Sequence, residues 1–360
     1  MFDIDIKSLI QLCEPVIIFY GITNIGMDTI DGICMNKEFK PKNIKKVKLP
    51  PELKVEANEI DYDELSKRQY GNLLLEFSKK IIEELPEKNL TNFYNNIRTL
   101  KVGLKKEEKE RNSNSTTVGT YEIKKNRVKF TNEEKKQVVF HELFHMASSK
   151  YQNGIIYSGF SQSKFLSGLK IGNGLNEGYT ETMSERYFGR NYSVSSGYRY
   201  ATFVVARIEE IVGRERMEEL YLNADLLGLI NELKKYNSEE NIMKFIASTD
   251  FLLNRFSLKK FIFREKGKIK KSLYNVNKFL AESYANFIKE QLDEGKISYD
   301  KANFNVSLFM GRLDRYVDAS DHIFTVMKDE EIEKIVENTF GDTDLLISPE
   351  VKTNKVKKIA

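Results

Sequence analysis

The sequence predicts an α+β protein: a small sheet with an edge hairpin, a helix bearing a short histidine motif, and a mostly helical C-terminal subdomain. Three observations carry that expectation. Tyr121-Glu122-Ile123 and Arg127-Val128-Lys129-Phe130 alternate apolar and polar residues around Lys124-Lys125-Asn126, the pattern of a hairpin. His141-Glu142-Leu143-Phe144-His145 sits among Val139, Phe140, Met146 and Ala147, so its helix is apolar on nearly every side and must be almost surrounded by protein. From Tyr198 onward, apolar residues recur at helical spacing nearly to the end of the chain.

Taken in order, residues 1–117 form an N-terminal region of no assigned role. The apolar run Val16-Ile17-Ile18-Phe19-Tyr20 follows Asp3, Asp5 and Glu14, the wrong charge for a secretory leader, and is too short to span a bilayer. It reads as a buried strand or short helix. Cys13 and Cys34, the only cysteines, lack metal-type spacing and read as reduced thiols. Cytoplasm is therefore the default location, although a secreted form trimmed of its leader would look the same. Pro41 to Pro51 is a basic, extended connector. One helix is expected from Asp61 to Leu85, stopped by Pro86, and a short one from Leu90 to Leu100. The polar run Asn112 to Thr117 is an exposed loop and the best boundary.

The segment 118–190 holds the hairpin and the motif helix, which Thr131 opens as N-cap with Glu134 completing a capping box. Gly154 to Gly174, rich in Gly and Ser, reads as a hairpin with bends rather than a mobile flap. A helix bearing Glu177 then runs to about Tyr187 and stops at Gly189. In the subdomain 191–345, helices are expected from Tyr198 to Val212 and at about 214–236, 239–256, 273–294, 302–317 and 329–337, with a basic connector at 261–271. Residues 346–360 are a basic tail.

Composition excludes some classes. Lysine and arginine number 57 against 53 aspartates and glutamates, a net charge of +4, too balanced for a nucleic-acid partner in the absence of an Arg-rich stripe. No membrane span is expected, and nothing indicates an oligomeric state.

The chemistry is concentrated in two stretches. His141 and His145, four apart, share one face of a helix and can grip one metal ion. Zinc suits imidazole nitrogen, and two such ligands leave room for a third and for water. Glu142 lies between them, placed to act on that water as a general base. A core helix spelling the motif by chance is the alternative. It is disfavoured because two of the three histidines in the chain fall in one pentapeptide. After 31 intervening residues comes Gly174-Leu175-Asn176-Glu177-Gly178-Tyr179-Thr180-Glu181. Glu177 and Glu181 also share a helical face, so one carboxylate can bind metal while the other supports a ligand.

At these residues the chain resembles the gluzincins, zinc metallopeptidases with an H-E-x-x-H helix and a glutamate ligand on a later helix. The resemblance covers about residues 118–190. It implies a zincin-like catalytic core with one Zn2+ held by His141, His145 and Glu177, Glu142 as catalytic base, and Glu181 behind a histidine ligand. It further implies a peptide or protein substrate, with the hairpin as its shelf. Gluzincins often supply a Tyr, His or Arg from outside the motif to the developing oxyanion. Tyr198, which opens the next apolar helix, is the first candidate and His322 the second, with Tyr179, Tyr192 and Tyr200 as alternatives. A zinc-stabilised binding or regulatory protein on the same scaffold is the competing expectation, and a metal-free helical interaction protein the third. Retention of Glu142 argues against a purely structural site, which needs no base.

Overall fold

A computed structural model describes residues 60–104, 119–130, 136–164, 170–189, 196–257, 265–313, 316–319 and 322–341. The thiols, the Val16–Tyr20 run, the basic connector, the 112–117 loop, the Thr131–Glu134 capping box, Tyr192 and the basic tail lie outside these. The described residues are α+β with mostly helical content and small sheets. They divide into two compact units, one from within 1–171, 183–191 and 221–225, the other from within 172–182, 192–220 and 226–360.

The first unit starts with α1 (Tyr62–Lys67), capped by Asp61, whose side chain accepts from the Glu64 amide at 2.9 Å. Helix α2 (Gly71–Glu84) follows after a break where one helix was expected. The break has a tertiary cause. Arg68 turns its guanidinium onto the end of the next helix, α3 (Thr91–Ile97), donating to the Ile97 and Arg98 carbonyls at 2.9 and 2.6 Å. Tyr70 takes a left-handed backbone (φ 63°) and sets its ring edge-on against Phe130 at 5.0 Å. Gly71 is demanded next, since a Cβ there would overlap the Ser66 carbonyl.

Leu74, Phe77 and Ile81 form the buried face of α2. Phe77 is the hub of an aromatic core, 5.0 Å from Phe144 and 5.4 Å from Phe188, while Phe140 and Phe188 stack at 4.1 Å. Each fully buried phenylalanine contributes about 2–3 kcal/mol of transfer energy. This cluster seats the motif helix α4 (Lys136–Ala147), on which every residue from Val139 to Ala147 is buried, as its all-round apolar composition requires.

The expected hairpin is present as β2 (Gly119–Glu122) and β3 (Arg127–Phe130), joined through Asn126 at φ 42°. Lys129 and Arg127 both reach Glu122 at 2.7 Å and hold its carboxyl down at about 2. An unexpected strand, β1 (Lys101–Leu104), pairs in parallel with β3, giving the order β1-β3-β2. Among the described residues, the strand preceding the motif helix is therefore central, and β1 and β2 are the two edges. The Gly- and Ser-rich segment is sheet, as expected, though more than a hairpin. Strands β4 (Ser149–Gln152), β5 (Ile155–Ser158), β6 (Ser161–Lys164) and β7 (Lys170–Ile171) form an antiparallel meander.

Helix α5 (Asn173–Phe188) ends at Gly189 (φ 88°) and contributes to both units. In the second unit, α6 (Ser196–Val212) ends at Gly213 (φ 90°). The helix expected over 214–236 is two, α7 (Arg214–Leu222) and α8 (Leu226–Leu233). The chain leaves helical geometry because the Leu222 and Asn223 carbonyls accept from Asn92 Nδ2 and Lys150 Nζ, both at 2.8 Å, and Ala224 turns to φ 54°. Next come α9 (Glu239–Ser257) and α10 (Lys266–Asp293), whose first turns occupy part of the expected connector. Phe245 and Phe279 stack at 4.3 Å between them. Helix α11 (Tyr299–Arg312), capped by Ser298, stops before 317, and Val317 lies instead in strand β8 (Tyr316–Ala319), paired with β9 (His322–Thr325). Tyr284 and Phe309 stack at 3.8 Å between α10 and α11. Helix α12 (Asp329–Phe340) closes the described chain. No helix among the described residues is long and apolar enough to cross a membrane.

Candidate metal centre

Helix α4 turns His141 and His145 to one side, with Nε2 atoms 3.2 Å apart and ring planes at 78°. Both are buried, at 7 % and 8 % exposure, and so is Glu142 at 8 %. One donor atom from each of His141, His145 and the half-buried Glu177 lies within 4.8 Å of the others. These three residues form a group that could hold a metal ion. The donor set fits one: nitrogens bound tetrahedrally at about 2.0–2.1 Å sit roughly 3.3 Å apart, close to the observed Nε2 spacing. Two imidazoles and one carboxylate also leave a position for water or substrate.

The end of α4 is fixed by side chains that the sequence reading did not single out. Asn96, on α3, donates from Nδ2 to the Met146 and Ser149 carbonyls at 2.8 and 2.7 Å. Ser149 Oγ donates to the His145 carbonyl at 2.5 Å. Two of the carbonyls left over at the helix terminus, those of His145 and Met146, are thereby satisfied.

The Glu177 helix owes its placement to glycine. A Cβ at Gly174 would stand 2.7 Å from Thr249 Cγ2 and 2.8 Å from the Thr249 backbone; one at Gly178 would stand 2.5 Å from the Ala201 carbonyl oxygen. Gly174 and Gly178 are four apart, so one face of α5 presses directly on the backbones of α9 and α6. At the start of the helix, Asp250 on α9 accepts from the Gly172 amide at 2.8 Å and the Gly174 amide at 2.6 Å. A lone acid between Thr249 and Phe251 was the available sign of that role, but nothing in its spacing pointed to α5.

Glycine also matters beside Glu142. A Cβ at Gly119, on edge strand β2, would lie 2.6 Å from Val138 Cγ1 and 2.9 Å from Glu142 Oε1. The edge strand thus runs against α4 at Glu142.

Glu181, one turn beyond Glu177, is buried at 3 % exposure. Tyr198 lies half-buried in the first turn of α6. Tyr200 is buried, edge-on to Phe256 at 5.4 Å. The Tyr179 hydroxyl donates to Glu209 Oε2 at 2.7 Å, which commits that group to holding α5 against α6. His322 opens β9, its backbone paired with Ala319.

No family model, curated protein or solved structure matches the chain. The likeness to gluzincins rests on the motif residues alone.

Proposed function

We propose that this chain is a zinc-dependent metallopeptidase. The observation that carries the reading is the buried His141, His145 and Glu177 donor group with Glu142 on the same helix turn as the first histidine. Two imidazoles and a carboxylate suit zinc better than the hard, oxygen-seeking cations. Bound there, zinc would act as a Lewis acid toward a carbonyl oxygen and lower the pKa of a water.

The remaining work belongs to the protein. Glu142 takes the proton of the attacking water and delivers it to the departing amine nitrogen. Burial excludes bulk water, so that transfer stays between Glu142 and the reacting atoms. Glu181 steadies a histidine ligand from behind, fixing its ring orientation. The Tyr198 hydroxyl donates to the oxygen that becomes charged as the tetrahedral species forms. An extended peptide lies along β2, whose outer edge pairs with no strand among the described residues and which passes Glu142 at Gly119.

Metal analysis after purification without chelators is the first test, with about one zinc per chain expected. Glu142→Gln is the second. It should retain zinc and lower hydrolysis of a mixed peptide library, read by mass spectrometry, by about 100- to 10,000-fold, the usual weight of a general base. A variant that cleaves at the wild-type rate would remove Glu142 from the mechanism. A wild-type chain that carries zinc but cleaves nothing would favour a zinc-stabilised binding protein.

A further inference from the structure

We infer that Asp250 is a positioning residue for the metal group, setting how tightly the chain grips metal through its clamp on the first turn of α5. The inference rests on the metal reading above and concerns a residue 73 positions beyond Glu177 in the chain.

Helix α5 has no acidic residue in its own first turn. The amides at its start would otherwise lack acceptors in a buried setting, because Gly172, Gly174, Leu175 and Asn176 are all buried. Asp250, itself 7 % exposed, meets two of them with its two carboxylate oxygens, at 2.8 and 2.6 Å. Its negative charge also sits at the positive end of the helix dipole. Two bonds to one planar group fix direction as well as distance. The clamp therefore sets both the axial position and the rotation of the first turn.

Glu177 is one turn further on, so an error in the first turn is carried to its carboxylate. Gly174 brings that turn against Thr249 without a side chain of its own to interlock, and the contacts of Gly178 with Ala201 and of Tyr179 with Glu209 come after Glu177, so the clamp is a polar tie on the turn that leads into it. The two amides that Asp250 accepts from belong to Gly172 and Gly174, ahead of the donor residue on the same helix. The effect of Asp250 is to hold Glu177 where the two histidines need it.

The test uses all 360 residues of the chain, with Zn2+ affinity measured by competition with a chromogenic chelator and ligand geometry by the visible absorption of the Co2+ form. Asp250→Asn keeps one acceptor oxygen and turns an amide NH2 toward a backbone N–H. It should weaken Zn2+ binding by about 10- to 100-fold, the range seen when a partner behind a ligand is lost, and alter the Co2+ spectrum. Ser298→Ala is the control. It removes a cap of similar kind, Ser298 Oγ accepting from the Lys301 amide at 3.3 Å, from a helix with no member of the group. Its Zn2+ affinity should stay within about twofold of wild type.

Asp250→Asn with wild-type affinity and an unchanged Co2+ spectrum overturns the role of Asp250 while leaving the metal reading intact. Equal losses in Asp250→Asn and Ser298→Ala overturn it too, since the effect would then be general destabilisation. A wild-type chain that binds neither Zn2+ nor Co2+ overturns the metal reading and this inference with it. Where circular dichroism shows Asp250→Asn unfolded, Asp250→Ser, with a single short acceptor, is judged by the same criteria.

Discussion

Glu177 and Glu181 are separated by one turn of α5 and differ in burial, half-buried against 3 % exposed. Glu177, the more accessible, is the one whose carboxylate oxygen lies within 4.8 Å of the two histidine nitrogens, and in the proposed function it is the ligand and Glu181 the support. Glu177→Ala should lose its metal altogether on dialysis. Glu181→Ala should keep it with affinity reduced about 10- to 100-fold. Metal-to-protein ratios after dialysis decide this, and the reverse ranking would exchange the two roles. A similar division applies to the tyrosines. Tyr179→Phe removes the hydroxyl that bonds Glu209 and should cost about 1–2 kcal/mol of stability. Under the proposed function, Tyr198→Phe should leave stability and zinc unchanged and lower kcat by about 100- to 1,000-fold with little change in KM, because a hydroxyl serving the oxyanion would be needed only when the carbonyl oxygen becomes charged. Full kcat in Tyr198→Phe, with collapse in Tyr200→Phe, Tyr192→Phe or His322→Ala, would move the donor to that residue.

Between elements, the Glu177 helix depends on what its glycines lack. In an ordinary exposed helix Gly→Ala gains about 0.5–1 kcal/mol from reduced backbone entropy. Gly267, in the first turn of α10, has nothing within 4 Å of where its Cβ would lie, so Gly267→Ala should gain a few tenths of a kcal/mol there. Gly174→Ala and Gly178→Ala should reverse that sign and cost roughly 1–3 kcal/mol, because the new methyl meets backbone rather than a flexible side chain. Urea midpoints measure all three, and a gain at Gly174 or Gly178 would mean that α5 is not so closely packed. The same helices show what was legible beforehand. The ends of α5, α6 and α10 were readable because a glycine with positive φ stands at each, Gly189, Gly213 and Gly295. The breaks at Arg68–Tyr70 and Asn223–Asp225 carry no such residue before them and are made by distant partners, Ile97 and Arg98 in one case, Asn92 and Lys150 in the other. Strand β1 escaped notice because four residues with one buried side chain make no alternation, and only β3 gives it a partner. The donor residues were legible from spacing. Asp250, Asn96 and Gly119 were not, since each acts through a contact that is remote in sequence.

For the molecule as a whole, the candidate group exists only when the chain is folded. His145 and Glu177 are separated by 31 residues in sequence, yet their donor atoms lie within 4.8 Å in the folded protein. The unfolded chain offers poor competition for metal, having three histidines and two cysteines in 360 residues. Metal should therefore bind the folded state almost exclusively and stabilise it by mass action, by about 2.7 kcal/mol at a free concentration one hundred times Kd. For a cooperative unit of 150–250 residues that corresponds to a rise of roughly 5–10 °C in Tm. Two compact units can melt separately, so the quantity to follow is the midpoint of whichever transition responds to metal. Scanning calorimetry with excess chelator, and then with graded Zn2+, should show that midpoint climbing with the logarithm of free metal. Glu177→Ala should flatten the climb, and Mg2+ should fail to produce it because it dehydrates reluctantly and takes oxygen ligands. If wild type and Glu177→Ala climb equally, the metal is binding elsewhere. If neither responds, the three donor residues meet in the fold without serving a metal, and the peptidase reading falls with them.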